Sequence, residues 1–231
     1  MLRLAGFFVL AILLATLLGH LPVVGPLFAR TGCIGIWISA MLLSWAFTRY
    51  GQRVYRMRKD AAEIRRLAAV ASPHTEGKLG TLLLNQGRAR KSLEPLARAA
   101  AGEPEVAEWH FRLGSARLWT KDMGGAVESL RTCVQIDPEH AYGEAGKRLA
   151  EALTRHGRAE EALEVLATVE RNHGPSPESA YRRGVALKSL GRKTEARSAF
   201  EEVGGLASEA ARYQRKSAVG WVLKARLASV I

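Results

Sequence analysis

The segment of this chain that looks most like chemical machinery is residues 141–148, which read AYGEAGKR. A glycine-rich turn that ends in Gly-Lys and a hydroxyl residue can cradle a nucleotide's phosphates, with the hydroxyl bound to a magnesium ion. Here the leading glycine is missing, and Arg148 stands where the metal-binding hydroxyl should be. The segment also falls within the first helix of a predicted repeat. We therefore do not expect a phosphate loop.

Six histidines and two cysteines are the other candidates for chemistry. The histidines are scattered along the chain without the spacing that metal ligands need. Cys33 lies in an apolar run and Cys133 in a small core position, so we expect no disulfide, as in a reducing compartment. The sequence contains no Gly-x-Ser-x-Gly elbow and no arrangement of cysteine and histidine that suggests a nucleophile. It predicts no enzyme, no metal site and no cofactor.

The elements that organise the chain return every 34 to 36 residues, the signature of a repeat architecture. In each copy a small residue is followed four positions later by a large apolar one: Ser92 and Leu96, Ala126 and Leu130, Ala162 and Leu166, Ala196 and Phe200. A further small residue precedes each pair, at Gly80, Gly114, Ala150 and Gly184. Turn positions follow at Gly87, Lys121, Gly157 and Gly191, and prolines close the first three copies at Pro104, Pro138 and Pro175. Each copy predicts two closely packed helices. Such units must stack into a solenoid to bury their apolar faces.

This pattern resembles the tetratricopeptide repeat family. The matching residues are Leu79-Gly80, Leu113-Gly114, the small and large pairs and the closing prolines. The fourth copy departs from the family pattern, because Arg183 replaces the leucine before Gly184 and no proline closes it. The resemblance implies three to four helix–turn–helix units and a task of binding peptides or proteins. The units are expected at residues 73–106, 107–140, 143–176 and 177–206.

In this family, ligands usually lie in a concave groove lined by the first helix of each unit. The resemblance places these residues of the chain in that groove: Asn85, Phe111, Trp119, Lys147, Arg155, Tyr181 and Lys188. Aromatic residues at one end and cations at the other suit an extended segment with an apolar anchor and an acidic stretch. Burial of Trp119 against the next repeat is the alternative. Four glutamates would dilute the positive field: Glu108, Glu144, Glu151 and Glu178.

One branch of the family binds chaperone tails through a carboxylate clamp of lysine and asparagine residues. Gly77 and Thr81 occupy the first two positions of that clamp in this chain. Capture of a free C-terminal carboxylate in that manner is therefore not expected.

The formal net charge of +12 is unevenly distributed. Residues 1–72 carry nine Lys/Arg and two Asp/Glu, residues 73–210 carry twenty of each, and residues 211–231 carry five Lys/Arg and no acid. Nucleic-acid binding needs a basic face on the folded domain. Because the excess flanks the repeats, no nucleic-acid partner is expected.

Two uncharged apolar runs, residues 4–19 and 31–48, predict a transmembrane hairpin within residues 1–50. Basic residues follow the second run: Arg49, Arg53, Arg56, Arg58 and Lys59. They predict a bacterial-type inner-membrane protein whose repeats lie on the cytoplasmic side. The same residues are expected to contact anionic lipids. A cleaved signal peptide over residues 1–19 is the alternative. Residues 51–72 predict a basic stalk helix, which would either cap the first repeat or pair with a second copy.

The sequence thus predicts an all-α fold, in which a two-span transmembrane hairpin precedes a tetratricopeptide-like α-solenoid. Residues 207–231 are expected to form a C-terminal capping helix or a basic amphipathic helix on the membrane. The expected function is a membrane-anchored adaptor or scaffold that binds protein partners in its groove and helps to assemble a membrane-associated complex. The alternatives are a self-associating structural membrane protein, which would be a homo-oligomer, and a module that binds membrane surfaces through its basic flanks.

Overall fold

The computed structural model describes residues 41, 44–52, 59, 62–64, 66–70, 72–209 and 215–229. The chain divides into two compact units, Met1–Arg65 and Arg66–Ile231. Residues 44–52, in the first unit, are helical. The second unit holds all of the repeat helices.

Helices in consecutive pairs build the second unit. Between residues 72 and 229, the described part of the chain forms nine α-helices and no strand: α1 Pro73–Asn85, α2 Ala89–Gly102, α3 Ala107–Thr120, α4 Met123–Ile136, α5 Glu144–Arg155, α6 Ala159–His173, α7 Pro177–Ser189, α8 Lys193–Glu209 and α9 Arg215–Ser229. Helices α1 to α8 form four pairs, and the second helix of each pair also packs on the first helix of the next. The first helices α1, α3, α5 and α7 also contact one another in sequence order. This is the all-α solenoid that the repeat pattern predicts.

Local sequence signals set where these helices begin and end. Ser72 and Ser176 each begin a helix with a reciprocal capping box, and a proline follows each of them. Lys121 ends α3 in the left-handed conformation with φ of 67°, close to the 75° of Gly87 in the corresponding turn of the first pair. The backbone therefore repeats at Lys121 although its side chain makes this conformation costly.

Glycines let the two helices of a pair approach closely. A Cβ atom added at Gly80 or Gly114 would lie 2.5 Å from Cγ of Leu96 or Leu130, respectively. At Gly184 it would lie 2.4 Å from a ring carbon of Phe200. Each large side chain is buried, so it fills the space that the glycine leaves open. The glycine and the large residue of the repeat pattern are thus partners across the first, second and fourth helix pairs.

Helix α9 covers the end of the solenoid by packing on α7 and α8. Ala218 and Ala225 are buried in this contact, and Trp221 packs against the apolar cluster of the last pair. Helix α8 continues to Glu209, and α9 begins only at Arg215. The opposite face of α9 leaves Leu223 and Leu227 exposed.

The predicted membrane placement needs correction. In the part of the chain that the structure describes, no helix is both long and apolar enough to cross a membrane. The repeat helices α1 to α8 have 12 to 17 residues and each contains charged residues, whereas a span needs about 20 apolar residues. The predicted span at residues 4–19 lies outside the described residues, and so does most of the span at 31–48. The predicted localisation as a multi-pass inner-membrane protein with cytoplasmic repeats is contradicted by this helix finding.

Candidate functional site

A cleft of about 590 Å³ lies along the first helices of the last three pairs. Its lining comes from α3, α5, α7 and α9, and includes three aromatic residues: Trp119, Tyr181 and Trp221. The lining also includes five cations and one carboxylate: Lys121, Arg148, Arg155, Arg182, Lys224 and Glu151. Leu118, Thr154 and Val185 form the rest. The volume falls within the range of about 300–1,000 Å³ that is typical of ligand pockets.

The aromatic side chains of the cleft differ in how they are held. Trp119 stands at the end of α3 with 74% of its surface exposed. Tyr181 on α7 packs between two rings, with centroid distances of 5.9 Å to Phe200 and 5.4 Å to Trp221. Because Trp221 belongs to α9, the terminal helix is part of the cleft as well as a cover for the solenoid.

Arg182 organises the charges on the floor of the cleft. Its Nη1 atom donates to Oε2 of Glu151 at 2.5 Å, and its Nη2 atom donates to Oε1 of Glu178 at 2.7 Å. The Arg182 side chain is only 11% exposed, so this group joins α5 to α7 through largely buried charges. Lys147 supports the same carboxylate, with its Nζ atom 3.3 Å from Oε2 of Glu178.

This ion-pair network keeps its carboxylates ionised despite their burial. Burial alone would raise the pKa of Glu178, but the charges of Arg182 and Lys147 hold the pKa below its ordinary value. The pKa of Glu151 is lowered in the same way, with burial opposed by the guanidinium groups of Arg182 and Arg155. Burial would lower the pKa of Arg182, but its two glutamates raise it above the ordinary value. The floor is therefore charged but mostly satisfied.

The ladder of ion pairs continues along the first helices towards the second repeat. Glu144 accepts from Nε of Arg148 at 3.1 Å and lies 2.8 Å from Nζ of Lys147. Glu108 accepts from Nε of Arg112 at 2.5 Å and lies 3.0 Å from Nε2 of His140. The glutamates expected to dilute the positive field therefore neutralise particular cations on this face.

Cations at the edge of the cleft form fewer ion pairs than those on its floor. The side chain of Lys121 has no hydrogen bond or ion pair among the described residues. The Nζ atom of Lys224 lies 3.9 Å from the ring centroid of Trp221. Arg155 makes a 3.3 Å bond to Glu151 and is 44% exposed. These three side chains, here called the rim cations, can reach a ligand without breaking the floor network.

The predicted groove residues are only partly brought together. Trp119, Arg155 and Tyr181 line the cleft, and Lys147 lies next to it in the floor network. Three others lie elsewhere: Phe111, Asn85 and Lys188. Phe111 is 7% exposed and packs in the core. Asn85 ends α1 and is exposed, and Lys188 donates its Nζ proton to the Ala228 carbonyl at 2.8 Å.

The lining residues that sequence reasoning missed include Arg182, Trp221 and Lys224. The repeat register could have placed Arg182, since it follows Tyr181 on the same first helix. The two residues of α9 lie after the last repeat, where no register extends. Their sequence signal is a tryptophan three residues before a lysine, in a segment for which the sequence predicts either a capping helix or a basic amphipathic helix on the membrane.

Metal-ligating clusters and reactive cysteines were the other candidates for chemistry in the sequence. Within them, no group of three His, Cys, Asp or Glu side chains is placed to hold a metal ion. Cys133 is fully buried in the core, and burial raises the pKa of its thiol to about 12. A thiol in this state is a small core residue and a poor nucleophile.

Fold and cleft together define a class of protein, an α-solenoid of helix pairs with a cleft along its first helices. Comparison with family models identifies the repeats, because tetratricopeptide repeat models match residues 78–141, 120–186 and 177–208. These matches together cover a little over half of the chain. Residues 78–208 therefore belong to the tetratricopeptide repeat family.

Solved structures share the fold at low sequence identity. A crystal structure of MamA protein has a TM-score of 0.58 at 20% identity and covers 65% of this chain and 84% of its own. The structure of MamA residues 41 to the end from Desulfovibrio magneticus RS-1 has a TM-score of 0.53 at 18% identity, and the match covers 70% of this chain and 97% of that one. A thermophilic TPR protein from Thermus thermophilus has a TM-score of 0.55 at 15% identity, and the match covers 79% of this chain and 97% of that one. No curated protein matches the chain. The likeness establishes the fold alone.

Proposed function

We propose that this protein is a tetratricopeptide repeat scaffold that holds a segment of a protein partner in the cleft described above. The observation that carries this proposal is the preformed cleft along α3, α5 and α7, with an exposed tryptophan and with the rim cations at its edge. Exposed aromatic and cationic side chains around a concavity are typical of residues that dominate protein–protein binding. The repeat family supports the same class of task.

The cleft favours binding over catalysis. Its most buried charge, Arg182, is held by two carboxylates and is not poised to exchange a proton. Thr154 is the only hydroxyl among the cleft's non-aromatic lining residues, and it donates back to the Ala150 carbonyl at 2.8 Å. A nucleophile needs a base within hydrogen-bond reach, and Thr154 has none there. The role proposed for this surface is therefore recognition.

Site-specific photo-crosslinking tests the proposal in the source cell. A photoreactive amino acid replaces Thr154 in the full-length chain, and the matched control replaces Thr168 on the second helix α6. Both threonines make the same bond to the carbonyl four residues earlier, so the two replacements disturb their helices similarly. We expect a discrete adduct with another protein from position 154 and none from position 168.

Two outcomes would overturn the proposal. One is the absence of a position-specific adduct at Thr154. The other is an adduct whose mass is that of two copies of this chain, which would favour a self-associating structural protein instead. Mass spectrometry of the adduct separates the second outcome from capture of a different protein.

A further inference from the structure

We propose that the segment bound in this cleft is an acidic peptide that carries a bulky aromatic or branched side chain, and that helix α9 helps to select it. This inference rests on the proposed function and specifies the partner class. The apolar part of the cleft, the excess of positive charge at its edge and the composition of the chain each support it.

The apolar part of the cleft calls for a large side chain. Trp119 is exposed over 74% of its surface, although a tryptophan offers about 150–250 Å² of area for burial. Tyr181 and Trp221 lie 5.4 Å apart at their ring centroids and are already packed by the helices beneath them. Leu118 and Val185 complete an apolar surface that matches an aromatic or branched side chain better than a polar one.

The excess of positive charge around this surface favours a ligand that carries carboxylates. The cleft lining and the residues that form ion pairs with it contain six cations and three carboxylates. The cations are Lys121, Lys147, Arg148, Arg155, Arg182 and Lys224, and the carboxylates are Glu144, Glu151 and Glu178. The three carboxylates pair with cations of the floor and with Arg155. The remaining excess lies on two of the rim cations, Lys121 and Lys224, which have no ion pair among the described residues. A ligand with two or three carboxylates would complement this excess.

The acidic residues of this sequence are concentrated in the repeats. Only Asp60 and Glu63 among the acidic residues of this chain precede residue 73, and none follows Glu209. All of the others lie within the folded repeats. A peptide also fits better than a nucleic acid, because residues 73–210 carry twenty cations and twenty carboxylates and offer no broad basic face.

Helix α9 contributes both kinds of contact to this selection. Trp221 adds an aromatic surface opposite Tyr181. Lys224, one helical turn later, adds a rim cation that lies over the Trp221 ring. Removing the Lys224 side chain changes the lining of the cleft without removing a partner of the Arg182 ion pairs to Glu151 and Glu178. Trp221 also contacts this network, because Cζ of Arg182 lies 5.7 Å from its ring centroid. The terminal helix therefore acts as a specificity element of the site.

Fluorescence anisotropy with labelled peptides tests the inference on the full-length protein. The reference peptide has about six Glu/Asp residues around one Trp. In the comparison peptides, Ala replaces the Trp or Lys replaces the acids, and a single-stranded oligonucleotide of equal charge serves as the other polyanion. We expect the reference peptide to bind most tightly, with about a tenfold loss for either peptide change, equivalent to 1.4 kcal/mol. Binding should weaken as salt is raised.

Charge reversal on α9 provides the matched comparison. Lys224→Glu should weaken binding of the reference peptide about tenfold and improve binding of the Lys-substituted peptide, whereas Lys91→Glu on helix α2 makes the same charge change away from the cleft and should do neither. Trp221→Ala could loosen α9, so Trp119→Ala, at an exposed position, is measured beside it. Both variants are checked for retained helicity by circular dichroism, and Trp119→Ala should weaken binding of the reference peptide.

Three results would overturn the inference: equal binding of all peptides, tighter binding of the oligonucleotide, or equal effects of Lys224→Glu and Lys91→Glu. If these occur while Thr154 still crosslinks to a partner, the scaffold function stands and only the acidic, aromatic-anchored class of segment is wrong. If Thr154 gives no adduct, the proposed function itself fails.

Discussion

Arg182 and Glu151 join two successive repeats through a 2.5 Å hydrogen bond between α7 and α5. The same guanidinium also bonds to Glu178 on its own helix, so one buried cation holds two carboxylates in place. Repeat proteins depend on contacts between neighbouring units for their stability. This relationship therefore ties the stability of the solenoid to the shape of its cleft.

Removal of Arg182 should destabilise the repeats. Arg182→Met leaves Glu151 and Glu178 without their main counter-charge, and breaking a buried ion pair from one side costs about 3–5 kcal/mol. Arg197→Met removes an exposed pair with Glu201, whose side chains are 78% and 68% exposed, and should cost under about 1 kcal/mol. Urea unfolding followed by circular dichroism measures both. Equal losses for the two variants would show that the Arg182 network has no special structural role.

The pH dependence of stability should carry the signature of Glu178. Because its pKa is lower in the folded protein than its ordinary value of 4.5, its contribution is present above pH 4.5 and is lost as the pH falls through the lower folded value. Glu178→Gln should therefore unfold more easily than the unmodified protein at pH 7, and the difference should shrink below pH 4.5. Thermal unfolding across this range measures it.

The control for that experiment is Glu105→Gln, at an exposed position with no ion pair among the described residues. It should have a small effect at every pH. A difference between the unmodified protein and Glu178→Gln that grows towards low pH would have the opposite sign and would contradict the lowered pKa.

Two glycines should respond in opposite directions to the same substitution. Gly114→Ala places a Cβ atom 2.5 Å from Cγ of Leu130, and overpacking of this kind costs about 1–3 kcal/mol. Gly204→Ala lies within α8 with nothing within 4 Å of the new atom, so it should gain roughly 0.5–1 kcal/mol from helix propensity. Urea unfolding compares them. Stabilisation by both would mean that the helices of the second pair are farther apart than described.

Cys133 should resist modification in the folded protein. Burial raises the pKa of its thiol to about 12, so almost no thiolate is present at pH 8. In a Cys33→Ser background, we expect a chromogenic disulfide reagent to titrate the thiol only after unfolding in urea. Rapid reaction under native conditions would show that the core around the second repeat opens readily.

The repeat pattern predicts most of the solenoid because its signals are local. Gly114 and Leu130 sit in fixed register, and the same spacing returns with Gly184 and Phe200, so their contacts follow from the sequence. Even Lys121 adopts the left-handed turn that its register position predicts. These features need no knowledge of how distant parts of the chain meet.

The cleft was harder to predict because its lining depends on side-chain direction and on an element outside the repeats. Phe111 and Trp119 lie on the same first helix eight residues apart, yet Phe111 is buried and Trp119 is exposed. Pattern alone assigned both to the groove. Trp221 enters the cleft only because α9 packs against α7, a contact that no repeat register encodes.

The most direct test of the scaffold function combines the crosslinking position with an exposed lining residue. The photoreactive group at position 154 is placed in the otherwise unmodified chain and in a Trp119→Ala chain, and the yield of the partner adduct is compared at equal protein levels. Because 74% of the Trp119 surface is exposed, its loss should leave the fold intact and remove an anchor for the ligand. A strongly reduced adduct is the result expected of a binding cleft. An undiminished adduct would contradict it.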